Sequence, residues 1–123
     1  MILVDTSVWI DFFRGNDGAE ALGGLLHDNE VLLHPWVLGE LALGGLGSRR
    51  REILTDSASV PAAICVPDPE VLDLVLTRRL FGRGIGWVDA HLAASCLVGK
   101  CALWTFDRAL RAAAGDLEIE RFP

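Results

Sequence analysis

Short continuous apolar runs alternate along the chain with stretches whose apolar residues return every three or four positions. Ile2-Leu3-Val4 predicts a short buried strand that stops at Asp5. Thr6 or Ser7 can then cap a helix carrying Val8, Trp9, Phe12 and Phe13. Arg14 to Gly18 is a turn-rich break, and Ala19 to His27 carries Ala21, Leu22, Leu25 and Leu26 at helical spacing. Val31-Leu32-Leu33 is a second strand, ended by His34-Pro35. Pro35 suits the first turn of a helix through Trp36, Val37, Leu38, Glu40, Leu41 and Leu43. Glycines 44, 45 and 47 interrupt it, and Arg49 to Leu54 continues as helix.

Ala63 to Val66 reads as a third strand, and Pro67 and Pro69 bracket a turn into a helix from Glu70 to Leu80. Phe81 to Gly86 is a loop. Trp87 to Leu97 is a helix with Leu92, Ala93 and Cys96 inward, and Ala102 to Phe106 is a fourth strand ended by Asp107. Arg108 to Ala114 forms a last helix, and Leu117 to Phe122 alternates weakly, as an edge strand would. Strands that are continuous apolar runs, alternating with helices, indicate an α/β fold with a mainly parallel sheet covered on both faces.

Composition narrows this to one globular domain over residues 1–123, with 51% hydrophobic residues and no long polar tract. No apolar run reaches bilayer length, and the N-terminus lacks the features of a secretory signal, so a cytoplasmic protein is expected. Cys65, Cys96 and Cys101 are odd in number, without CxxC spacing and with apolar neighbours, which predicts buried thiols in a reducing compartment. The net charge of −6 argues against a nucleic-acid partner. Two features weigh the other way. Of eleven basic residues only Lys100 is a lysine, and the arginine fork suits phosphate. Some of the acids could also be occupied by metal.

The sequence excludes several chemistries. Gly82-Arg83-Gly84-Ile85-Gly86 follows a helix with the wrong spacing for a dinucleotide loop, and there is no Walker loop. Ser7 and Ser95 lack a nucleophile elbow. His27, His34 and His91 are not at zinc-ligand spacing. What remains is a set of acids. Asp5 and Asp107 end strands, which in an open α/β sheet is the edge where ligands bind. Glu40 is the only charge between Pro35 and Ser48, on a helix apolar nearly all round, where a carboxylate is costly unless paired or metal-bound. Asp89 opens a helix after the glycine-rich loop and can join them. Converging carboxylates repel, and hard divalent cations are their natural partners. Taken singly, Asp89 and Asp107 read more simply as helix caps.

With these residues in view, VDTSVWIDFFRG, HPWVLGELALGGL, GRGIGWVDAHLAAS and LWTFD together resemble the PIN-domain proteins, and among them the VapC-type toxins of bacterial toxin–antitoxin pairs. The resemblance spans the chain in order. It implies a three-layer α/β/α sandwich, a Mg²⁺- or Mn²⁺-dependent ribonuclease activity, and a homodimer inhibited by a cognate antitoxin. Asp5, Glu40, Asp89 and Asp107 match the family's acidic quartet, with Asp5 and Asp89 as first-choice direct ligands. Thr6 or Ser7 matches its hydroxyl position, with Thr105 a weaker candidate. Arg49, Arg50, Arg51 and Arg83 are candidate RNA contacts. Two rivals stay open. One is a phosphohydrolase or phosphotransferase with Asp5 as nucleophile, which would want a lysine late in the chain, whereas Lys100 precedes its strand. The other is a non-catalytic interaction module whose acids only cap helices.

Overall fold

Strand β1 (Ile2–Val4) lies between β2 (Val31–Leu32) and β3 (Ala102–Trp104), parallel to both. Ile2 stands opposite Val31 on one side and Ala102 on the other. The computed structural model describes residues 1–123. Around the sheet are α1 (Thr6–Phe13), α2 (Ala21–His27), α3 (Pro35–Leu43), α4 (Arg50–Ser57), α5 (Asp68–Thr77), α6 (Trp87–Gly99) and α7 (Arg108–Asp116). A single 3-10 turn over Gly47–Arg49 leads into α4, where the sequence suggested that the helix starts at Arg49. The layering is the predicted α/β/α sandwich.

Two predicted strands are reduced to single parallel bridges, Leu33 with Ala62 and Leu103 with Arg121. Prolines explain the first. Leu33 N–H donates to Pro61 O at 2.9 Å, and Ala63 N–H donates to Leu33 O at 3.0 Å. The next ladder bonds would need an N–H from Pro61 on one side and from Pro35 on the other, and proline has none. Ala63 to Val66 therefore cannot pair as a strand. At the other end, residues 117–119 are taken up in closing α7: Leu117 N–H donates to Ala113 O and Ile119 N–H to Ala114 O. Glu118, at φ 61°, turns the chain before it can run along β3.

Both faces of the sheet are covered, because Leu3, Val4, Ala102, Leu103 and Trp104 are all buried. Helix α6 is sunk deepest, with Ala90 through Cys96 buried without a break. Its Ala90, Ala93, Ala94 and Ser95 are small enough for α5 and the sheet to approach closely. Trp9 fills the space under α1 and donates Nε1–H to Val4 O at 3.2 Å, so its one polar atom is satisfied inside the core. Cys96 and Cys101 are buried as expected; Cys65 is exposed, because the segment that was to carry it into the sheet is not a strand. No helix is long and apolar enough to cross a membrane.

The parallel arrangement decides where chemistry can sit. Three helices leave the sheet directly from strand C-termini: α1 after Asp5, α3 after His34, and α7 after Asp107. Their N-terminal turns therefore share one edge.

Candidate active site

Asp5 is the centre of that edge. It is buried, and its own N–H donates to Trp104 O at 2.9 Å, which fixes it against β3. Its Oδ1 accepts from Thr6 N–H at 2.7 Å. Its Oδ2 accepts from Ser7 Oγ at 2.9 Å and from Thr105 Oγ1 at 2.7 Å. Thr105 Oγ1 in turn accepts from Asp107 N–H at 3.0 Å, and Ser7 Oγ accepts from Phe106 N–H at 3.1 Å. Thr6 Oγ1 reaches across to α3 and donates to Glu40 Oε1 at 2.6 Å. The hydroxyls thus stitch the ends of β1 and β3 to the middle of α3.

Asp107 caps α7 through Leu110 N–H at 3.0 Å, and Asp89 Oδ2 accepts from Gly86 N–H at 3.0 Å. The capping roles foreseen for both are real. They do not account for the electrostatics. Asp89's carboxyl is held above its ordinary range, first by burial, and further by repulsion from Asp5, Asp107 and Glu40; the Gly86 N–H works against this. Those three acids act on Asp89 as like charges and disfavour its ionised form.

The donor set is carboxylate and hydroxyl oxygen, which suits a hard cation such as Mg²⁺ or Mn²⁺ and not zinc. No three Asp, Glu, His or Cys side chains stand close enough together to enclose an ion.

Residues 2–116 match the model of the PIN domain family. The chain belongs to the PIN-domain family. It is 48% identical over 118 residues to Ribonuclease VapC32 of Mycobacterium tuberculosis, covering 94% of this chain and 92% of that protein. Among solved structures it is similar to FitAcB from Neisseria gonorrhoeae, with a TM-score of 0.68 and 21% identity over 100% of this chain and 97% of the other. PAE2754 from Pyrobaculum aerophilum gives a TM-score of 0.65 at 20% identity, over 91% and 83% of the two chains. Those two likenesses concern the fold.

Several sequence expectations about this PIN domain need revising. Glu40 is exposed, so burial is not what makes it notable; its helix presents Glu40, Trp36 and Leu43 outward despite its apolar sequence. Thr105, the weakest hydroxyl candidate, is as well connected as Ser7 and is buried between Asp5 and the Asp107 amide. The arginines are scattered. Arg83 is paired with Asp116 at 2.7 Å, near the end of α7 remote from Asp107. Arg50 donates to Ala42 O. Arg49 lines a cleft of about 280 Å³ with Trp9, Phe13, Asn29 and Val31, at the edge where β2 begins and α1 ends, opposite the acids. Arg51 lies beside Arg50 on α4.

One group of residues went unnoticed in the sequence. His34, Trp36, Trp87 and His91 form an aromatic cluster at the starts of α3 and α6. The i, i+4 pairs Trp36–Glu40 and Trp87–His91 were the available signal. His34 Nδ1 accepts from Trp36 N–H at 3.1 Å, which leaves its Nε2 as the protonated nitrogen, buried without a partner. An unpaired buried donor costs about 1–3 kcal/mol. Burial, and to a lesser degree His91, lower the His34 pKa and keep the ring neutral. His91 Nε2 lies 3.1 Å from Asp68 Oδ1 but without the alignment of a hydrogen bond.

Proposed function

We propose that this chain is a Mg²⁺- or Mn²⁺-dependent endoribonuclease that hydrolyses RNA phosphodiesters in the cytoplasm, the toxin of a pair held in check by a cognate antitoxin. The observation that carries the reading is the 48% identity to a named ribonuclease over 94% of the chain; the Asp89 carboxyl, raised first by burial and then by Asp5, Asp107 and Glu40, supports it. Asp5 and Asp89 would hold the cation directly, with Glu40 and Asp107 either direct or through water. When bound, such a cation supplies a water of lowered pKa and positive charge to offset that developing on the phosphate.

The chain's own residues do the rest. Ser7 and Thr105 fix the orientation of the Asp5 carboxylate, and Thr6 fixes Glu40. The Asp107 amide, bound to Thr105, ties the end of β3 to the same geometry. Asp5 as a covalent nucleophile is the poorer reading, since both its oxygens accept hydrogen bonds and the residue is buried.

Incubation with a mixed pool of small structured RNAs should yield discrete cleavage products in Mg²⁺ or Mn²⁺ and none in excess EDTA. Undiminished cleavage in EDTA would refute the metal-dependent mechanism. The chain should also associate with itself. Leu72, Leu76 and Val98 are exposed along α5 and the end of α6, beside a groove of about 490 Å³ between those helices. An apolar surface of that kind is typically covered in a symmetric dimer. Sedimentation should return a dimer at micromolar concentration; a monomer there would remove the homodimer from the proposal.

A further inference from the structure

The aromatic cluster beside the acids has no part in the hydrolysis just described. Trp36 and Trp87 are 38% and 37% exposed, whereas Trp9 and Trp104 are each 2% exposed. His91 sits between the two outer indoles, with ring centroids 4.1 Å from Trp36 and 4.6 Å from Trp87. His34 is buried behind them, 6.1 Å from His91, with its Nε2–H unpaired. Trp36 lies one helical turn before Glu40, and Trp87 stands two residues before Asp89, so the cluster borders the acids along one edge.

Two half-open indoles around an unpaired buried donor are not what the free protein needs for stability. They form an aromatic face next to the proposed scissile phosphate, with the Asp68 carboxylate on its flank, 3.1 Å from His91 Nε2. Three of the arginines are engaged elsewhere, Arg83 with Asp116, Arg50 with Ala42 O and Arg49 in a cleft at the opposite edge, which leaves the exposed Arg108, next to Asp107, as a cation on the acids' edge. A protein of net charge −6 that holds a polyanion needs an attraction that does not depend on charge. Every nucleobase has a π-face, so stacking on tryptophan provides one irrespective of sequence.

We propose that Trp36 and Trp87, with His91 packed between them, form a subsite that stacks an unpaired nucleobase of the RNA strand adjacent to the phosphate at the acidic quartet. This rests on the ribonuclease reading and adds to it a requirement that the substrate be single-stranded or looped at that position. The two tryptophans act as base-binding residues, and His91 holds their spacing.

The test is fluorescence anisotropy with a short labelled single-stranded RNA of mixed sequence and with copies in which one abasic position is moved along it. Binding is measured in Mg²⁺ on an Asp89→Asn background, where hydrolysis is slow. Trp36→Leu and Trp87→Leu should each weaken binding about tenfold or more, while Trp36→Phe, which keeps a ring, should retain most of it. One abasic position should weaken the parent by a similar factor and leave the Leu variants unaffected. Thermal denaturation checks that each variant is folded, and the Phe variant carries the comparison if a Leu variant is not. Leu variants that bind RNA as tightly as their parent overturn the subsite, and an accompanying change in sedimentation would assign the tryptophans to a protein contact. Wild type that cleaves RNA while the tryptophan variants cleave identically sinks the subsite alone. Wild type that neither binds nor cleaves RNA removes the ribonuclease reading and the subsite with it.

Discussion

Asp89→Asn is expected to lower RNA cleavage on the order of 100-fold or more while making the metal-free protein more stable. The asparagine keeps the shape of Asp89 and an oxygen to accept from Gly86 N–H, so the start of α6 is retained. What disappears is one negative charge among four. Asp89's folded-state pKa lies above its unfolded value, chiefly through burial and then through Asp5, Asp107 and Glu40. Well below the ordinary carboxylate range both states are protonated, and aspartate and asparagine should be equally stable. As pH rises through the raised folded value, the native aspartate must ionise beside its neighbours, and stability is lost. The advantage of asparagine therefore grows across that window and is complete at neutral pH. Mg²⁺ should reverse the order, raising the wild-type melting temperature more than the variant's. Thermal denaturation at acid and neutral pH, with and without Mg²⁺, reads all of this; identical metal-induced shifts in the two proteins would refute a carboxylate-held cation.

Thr105→Val should lower both stability and cleavage, for reasons separate from charge. Valine fills the same space, so no cavity opens. It removes the hydroxyl that donates to Asp5 Oδ2 and accepts from Asp107 N–H, in a residue only 3% exposed. Two groups lose a buried partner, and the cost is about 1–3 kcal/mol. That is a sizeable share of the roughly 5–15 kcal/mol that a domain has in total. With Asp5 held by Thr6 and Ser7 alone, cleavage should fall about 10- to 100-fold, as it does when groups that orient metal ligands are removed. Thr105→Ser restores the hydroxyl and should recover most of both. A valine variant with wild-type denaturant midpoint and wild-type rate would show that Thr105 only fills space.

Much of the molecule was legible in its apolar pattern, and the failures have particular causes. The strand at β1 and the helix after it followed from an apolar triplet stopped by a carboxylate, because a parallel sheet buries both faces of a strand. The supposed strand at Ala63–Val66 was equally apolar, but pairing needs donors in a partner as well as apolar side chains, and Pro35 and Pro61 withhold them. Glu40 was picked out for the wrong reason. A helix apolar all round was read as buried, whereas Leu43 on the same helix is 90% exposed. The common edge of Asp5 and Asp107 could be anticipated because strand ends and following helix starts share an edge by topology. No such rule places an arginine in a turn or loop, so Arg49 and Arg83 were grouped with the acids by sequence, whereas Arg49 lines a cleft at the opposite edge and Arg83 pairs with Asp116.

The two prolines beside Leu33 bear on how copies of this chain meet. A sheet whose outermost strand shows a free row of amides invites another chain to add to it and continue without limit. Here the outer segment joins by one bridge, and Pro61 and Pro67 bracket the residues that follow it. A neighbouring molecule finds too few consecutive donors to extend the ladder. The backbone edge is thereby closed to open-ended addition, and only helix faces are left for a copy of the chain to meet.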